Sequence, residues 1–179
     1  MPMQRHWSLT ENELRAISDK DLVQKVIDSV LAYAGKLSSD EDDYALARQT
    51  PKSAQFFWAM RLFESEVNNG GFEQYFWNSS CTLADVASEG YAVIGAERYS
   101  EFLQRAATIV GNRSWQERRR EFNGDWRSYK RASPPALDAL DDEFYAAKGG
   151  DPDSGGMDEN LYRLKVEYIR RNADSLCRS

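Results

Sequence analysis

Apolar positions along this chain recur almost everywhere with the period of an α-helix, and that recurrence sets the expected elements. Leu22, Val23, Val26, Ile27, Val30 and Leu31 share one face of a first amphipathic stretch, which Ser18 can cap ahead of Asp19-Lys20-Asp21. Gly35 and Ser38-Ser39 end it. Thr50-Pro51 opens the next stretch, with Pro at the first helical position, where its missing N–H costs nothing. The inner stripe there is Phe56, Met60, Phe63 and Val67, and Asn69-Gly70-Gly71 closes it, because Asn and Gly tolerate the left-handed backbone that stops a helix. Phe72 to Trp77 reads as a further short helix, since Glu73-Gln74 interrupts any strand-like alternation.

The pattern continues in the same way. Thr82 is placed to cap a helix carrying Leu83, Val86, Val93 and Ile94 inward and ended by Gly95. Tyr99, Phe102, Leu103, Ala106 and Ile109 or Val110 line the next, stopped by Gly111-Asn112. Ser114-Trp115-Gln116-Glu117 has the form of a capping box, and Asn123-Gly124 breaks the basic helix that follows. Ser133-Pro134-Pro135 starts a helix with Leu137, Leu140 and Phe144 inward, and a last one runs from about Asp158 with Leu161, Leu164 and Tyr168 inward. Lys148 to Gly156 reads as the most flexible loop. No segment alternates as a half-buried strand does, and no internal repeat is present. The expectation is an all-α, single-domain bundle of about six to eight helices with short loops. Residues 1–49 read as a helical extension packed on a main domain of residues 50–173, with 174–179 as a C-terminal tail.

Charge changes this picture more than bulk composition does. The 179 residues carry a net charge of -6, but residues 132–161 alone hold eight carboxylates against Lys148, a local -7. Residues 96–131 hold nine bases against five acids, a local +4. Asp40-Glu41-Asp42-Asp43 forms a second acidic knot. Separate acidic and basic patches favour protein partners over direct nucleic-acid binding. No apolar run approaches the roughly 20 residues of a membrane span, and Met1 to Trp7 shows no secretion-signal core, so a cytoplasmic setting is expected. The two cysteines, Cys81 and Cys177, share no metal or redox spacing and read as free thiols.

Most candidate chemistry fails on its own terms. Nucleophilic catalysis needs a placed histidine, and the single one is His6. Zinc needs clustered Cys and His, and Asp151 to Tyr162 lacks the ligands of a calcium loop, so neither metal nor cofactor is expected. Arg118-Arg119-Arg120 followed by Trp126, Arg127, Tyr129, Lys130 and Arg131 has the make-up of a nucleic-acid surface. It reads more simply as a solvated helix paired with Glu117, Glu121 or the acids beyond Ser133. Gly70-Gly71-Phe72 lacks the Lys and hydroxyl of a phosphate loop. Glu66, Glu73, Gln74 and Asn78 could line a carboxylate and amide pocket, the basis of an alternative in which the protein is an enzyme. The stronger reading makes Glu66 a partner for the neighbouring amides.

The run Glu66-Val67-Asn68-Asn69-Gly70-Gly71-Phe72-Glu73-Gln74-Tyr75-Phe76-Trp77-Asn78-Ser79-Ser80 closely resembles the signature of the bacterial DNA-mimic protein family. The likeness continues through Tyr91 to Glu97, Leu137 to Tyr145 and Tyr168 to Asn172, and covers roughly Thr50 to Ala173. It implies a helical bundle, often a homodimer, with no established catalytic activity. It further implies that acidic side chains imitate DNA phosphates and occupy a basic DNA-binding protein. On that basis Asp40, Glu41, Asp42, Asp43, Asp138, Asp141, Asp142 and Glu143 are the expected partner-binding carboxylates. Glu66, Asn69, Gly70, Gly71, Phe72, Gln74, Tyr75 and Asn78 are expected to specify the fold.

Overall fold

The computed structural model describes residues 7–34, 45, 47–147 and 158–177. Among them are ten α-helices and no strand. They are α1 (Glu11–Ala16), α2 (Asp19–Ala34), α3 (Lys52–Trp77), α4 (Ala84–Val93), α5 (Glu97–Val110), α6 (Trp115–Glu121), α7 (Trp126–Ala132), α8 (Pro135–Ala147), α9 (Glu159–Arg171) and α10 (Ala173–Cys177). A 3-10 turn, Ser79–Leu83, links α3 to α4. No helix of the described residues is long and apolar enough to cross a membrane.

α3 is the axis of the molecule. Its expected stripe of Phe56, Met60, Phe63 and Val67 is buried, but so are Phe57, Trp58 and Ala59 beside it. A helix apolar all round must be covered all round, and α2, α4, α8 and α10 do this. Phe63 is the aromatic hub, with ring centroids 5.7 Å from Phe72, 5.2 Å from Tyr75, 5.8 Å from Tyr91 and 5.7 Å from Phe144. α4 crosses α3 closely because Gly90 has no side chain: a Cβ there would lie 2.9 Å from that of Phe56.

Several boundaries follow their signals. The capping boxes Thr10/Glu13 and Ser114/Glu117 are both complete, and Asp125 and Asp158 cap α7 and α9. Positive φ occurs at Gly95, Gly111, Asn123 and Gly124, where the sequence stops helices. Other expectations fail. Pro51 is the N-cap of α3 rather than its first residue. Thr82 caps nothing, because its hydroxyl is spent on the Ser79 carbonyl inside the 3-10 turn. Val93 is 46% exposed, since α4 ends there and the turn into Gly95 carries Ile94 inward instead. On α9, Leu161, Val166 and Ile169 are buried, with Leu164 and Tyr168 only half-buried.

α1 is too short to show a period, yet its Leu14 is 1% exposed. α10 runs from Ala173 into the segment read as a tail, where Leu176 is buried. The Trp7 indole donates to the Leu176 carbonyl at 2.8 Å, which ties the two ends together. Arg170 reaches from α9 to the Leu14 and Ile17 carbonyls and to Asp19. Asp40-Glu41-Asp42-Asp43, Gly35 to Ser39, His6 and the Lys148 to Gly156 loop lie outside the described residues.

One ion pair lies inside. Lys165 of α9, 6% exposed, donates to Glu64 of α3 at 2.5 Å, and the Tyr91 hydroxyl donates to the same oxygen at 2.8 Å. Removing one partner of such a pair strands the other charge in a medium that solvates it poorly. Lys165→Met keeps the volume and loses the charge, so it is expected to lower the urea-unfolding free energy by about 3 kcal/mol. A loss below about 1 kcal/mol would mean that Tyr91 alone suffices for Glu64.

Candidate functional site

The chemistry-bearing residues gather where α3 breaks. Gly70 (φ -167°, ψ 26°) and Gly71 (φ 78°, ψ -176°) depart from helical geometry, and the chain resumes its helix from Phe72 to Trp77. Gly71 is the position that demands glycine. Its φ is open to few L-residues, and a Cβ would overlap Asp141 Oδ2 and lie 2.9 Å from Glu73 Oε2. At Gly70 φ lies outside the left-handed region, and a Cβ would meet the Gln74 side chain, its movable Oε1 and also its Cβ at 3.1 Å. Phe72, Tyr75, Phe76 and Trp77 are all buried, as three successive aromatics require, while Asn69 stays exposed at the break.

Two polar networks secure the resumed turn. In the first, Glu66 Oε2 accepts from Gln74 Nε2 at 2.7 Å and Asn78 Nδ2 at 2.9 Å, and its Oε1 accepts from the Ser80 hydroxyl at 3.3 Å. This is the internal role read for Glu66. At the C-terminal end, where helix carbonyls lose their intrahelical donors, α6 supplies cations. Arg118 donates from Nε to the Phe76 carbonyl at 2.9 Å, and Arg119 from Nε to the Trp77 carbonyl at 3.2 Å. Arg119 also reaches Asn78 Oδ1 at 3.2 Å and lies over the Trp77 and Trp115 rings. The expectation that these arginines pair with nearby acids is corrected. Arg118, 2% exposed, serves a helix end whose dipole favours a cation.

The second network is acidic. Asp141 of α8 accepts the Phe72 N–H on Oδ1 at 2.9 Å. Glu73, Asp138 and Asp141 each bring a carboxylate oxygen within 4.8 Å of the others, the one such convergence of three among the described residues. Glu73 is 1% exposed, and its Oε2 is buried with no hydrogen-bond donor. Burial, with the Glu73 charge next, pushes Asp141 up to about 7. Burial, with Asp138 adding its charge, raises Glu73 as well. Lys130 acts weakly in the opposite sense on both.

The expected acidic stripe is therefore split. Asp138 and Asp142 are exposed on α8. Asp141 is turned inward onto the corner, which corrects its reading as a solvated docking residue: it lies four residues after Leu137 and three before Phe144, on their inner face. Glu143 is held by both terminal nitrogens of Arg105, at 2.7 and 2.8 Å. Glu66 and Glu73 belong to separate networks, so the carboxylate pocket expected of an enzyme is not assembled.

A family model of DMP19-like proteins matches residues 48–172. The chain belongs to the DMP19-like family. The match is consistent with the resemblance to the DNA-mimic family, and the matched segment contains the whole α3 corner and α8. No curated protein and no solved structure gave a match. Within this DMP19-like chain, Glu73 as a neighbour of Asp138 and Asp141, and Arg118 and Arg119 as caps, were missed. The arginines carry no sequence signal, because the residues they serve are 42 positions away.

Two outcomes test the corner. Gly71→Ala is expected to cost more than about 2 kcal/mol, from its φ and the carboxylates behind it. Gly70→Ala should cost about 1 kcal/mol, the worth of a displaced Gln74 bond. Equal losses in denaturant unfolding would show that the two glycines are alike.

The second outcome concerns pH. Folded, Asp141 keeps its proton up to about 7, whereas the unfolded side chain releases it near its ordinary 3.8. Across that window the folded state binds more protons, so stability falls as pH rises from about 4 to about 7. In Asp141→Asn the amide oxygen can still accept from Phe72 and the amide N–H can donate to Glu73. The variant should fold and lose most of that decline when thermal midpoints are followed in the presence of a chelator. An unchanged pH slope would refute the assignment.

Proposed function

We propose that this protein is an interaction module that docks on a basic DNA-binding protein through the exposed carboxylates of α8, taking the place of DNA phosphates. The observation that carries the reading is the pair Asp138 and Asp142. Both are exposed, one helical turn apart, and neither is in an ion pair among the described residues. Carboxylates so presented can satisfy Lys and Arg side chains that otherwise hold a phosphate backbone. Membership of the DMP19-like family supports the same role.

The internal use of Arg118 and Arg119 also favours it. Two cations of the basic tract are spent on the end of α3 rather than offered to a basic partner. The enzyme alternative has less behind it. Glu66 is consumed by Gln74, Asn78 and Ser80, and Glu73 is closed to solvent. The docking set narrows from the whole stripe to Asp138 and Asp142, because reversing Asp141 would break the corner.

The test is capture of partners from the native cell extract by the full chain, at low and at high salt, with Asp138→Lys/Asp142→Lys alongside. The expected result is a captured DNA-binding protein that is released by salt, loses its DNA in a mobility-shift assay, and is not held by the double variant of unchanged helicity. Capture that is indifferent to the two substitutions would overturn the proposal.

A further inference from the structure

We propose that Glu73, Asp138 and Asp141 form a binding site for one divalent cation of the hard, oxygen-preferring class, with water completing its coordination on the Asp138 side. This goes beyond the docking reading and does not depend on it, although Asp138 belongs to both sets.

The first ground is the state of Glu73. Its side chain is 1% exposed, and Oε2 lies among carboxylate oxygens with no donor to answer it. A buried carboxylate in that position is costly unless something positive sits between it and its neighbours. A cation, a shared proton or a buried water can fill that place.

The second ground is the shape of the corner. Gly71 presents bare backbone to the space where Asp141 Oδ2 and Glu73 Oε2 come together, and any Cβ would occupy it. The hydrogen bond from Phe72 N–H fixes Asp141 Oδ1 and leaves Oδ2 directed to the cluster. Holding one carboxylate oxygen so that the other meets a metal is the usual work of an outer-shell partner. Asp138, exposed on the next turn of α8, gives an ion its entry from solvent.

The third ground is the donor set. All three groups are carboxylates, with no imidazole or thiolate in the cluster. That set selects Mg2+, Mn2+ or Ca2+ rather than zinc, and three protein oxygens leave room for the waters that small hard cations retain.

The test titrates Mn2+ into the full chain after chelator treatment, at pH 7.5, with free Mn2+ read by paramagnetic resonance and the thermal midpoint followed in parallel. The expected result is one saturable ion per chain, a raised midpoint, and competition by Mg2+ or Ca2+. Glu73→Gln and Asp138→Asn should each weaken binding at least tenfold, whereas Asp142→Asn should leave it unchanged. Should Glu73→Gln fail to fold, Asp138→Asn decides, because its side chain is exposed. Absence of saturable binding at millimolar Mn2+ would overturn the proposal and leave a shared proton or a buried water as the occupant. Binding undiminished in the variants would overturn it by placing the ion elsewhere.

Discussion

The structure turns on one hydrogen bond, from the Phe72 backbone N–H to Asp141. Breaking a helix leaves the first N–H groups of the resumed turn without intrahelical partners, and here the break passes from exposed Asn68-Asn69 to a buried run that starts at Gly71. A side chain from α8 supplies the acceptor across a sequence separation of 69 residues. Because α8 is held at that point, its Phe144 meets the aromatic hub at Phe63 and also Phe102 of α5, which packs on α8. The bond also brings carboxylates into the core, the source of the perturbed acidity at Asp141 and Glu73.

The opposite end of the same short turn is closed by different means. Carbonyls at Phe76 and Trp77 take guanidinium groups from α6, and Glu66 gathers the amides of Gln74 and Asn78 along the side. Six residues of helix thus have a carboxyl acceptor at their start and cations at their finish, and the helix dipole favours the latter. An acceptor and donors from distant segments replace the capping that a short, isolated turn could not provide for itself. Such a unit is over-determined, which is how a backbone as strained as that of Gly71 persists.

Much of this was legible in the sequence, for reasons that differ by element. The long helices announced themselves by period, and the break at Asn69-Gly70-Gly71 by the residue types that tolerate unusual backbone. The internal role of Glu66 followed from polar groups threaded through an apolar run. Asp141 could have been read as inward, since Leu137 and Phe144 bracket it at helical spacing, but its charge suggested solvent. α1 and α10, of six and five residues, are too short for a period to register. Arg118 and Arg119 looked like surface because composition cannot show that two carbonyls 42 residues earlier need donors. Their role is a property of the folded chain alone.

The separation of 69 residues between Phe72 and Asp141 has a consequence for how the protein is made. At ribosomal speeds of about 5 to 20 residues per second, roughly 3 to 14 s pass between synthesis of the two partners. Throughout that interval the aromatic run after Gly71 exists without the strut that fixes it, and its rings have only the helices up to α7 to cover them. The Trp7 contact to Leu176 closes later still, spanning 169 positions. The core therefore closes only after α8 to α10 have been made, and a ribosome stalled before α8 would present an aromatic surface suited to chaperone capture.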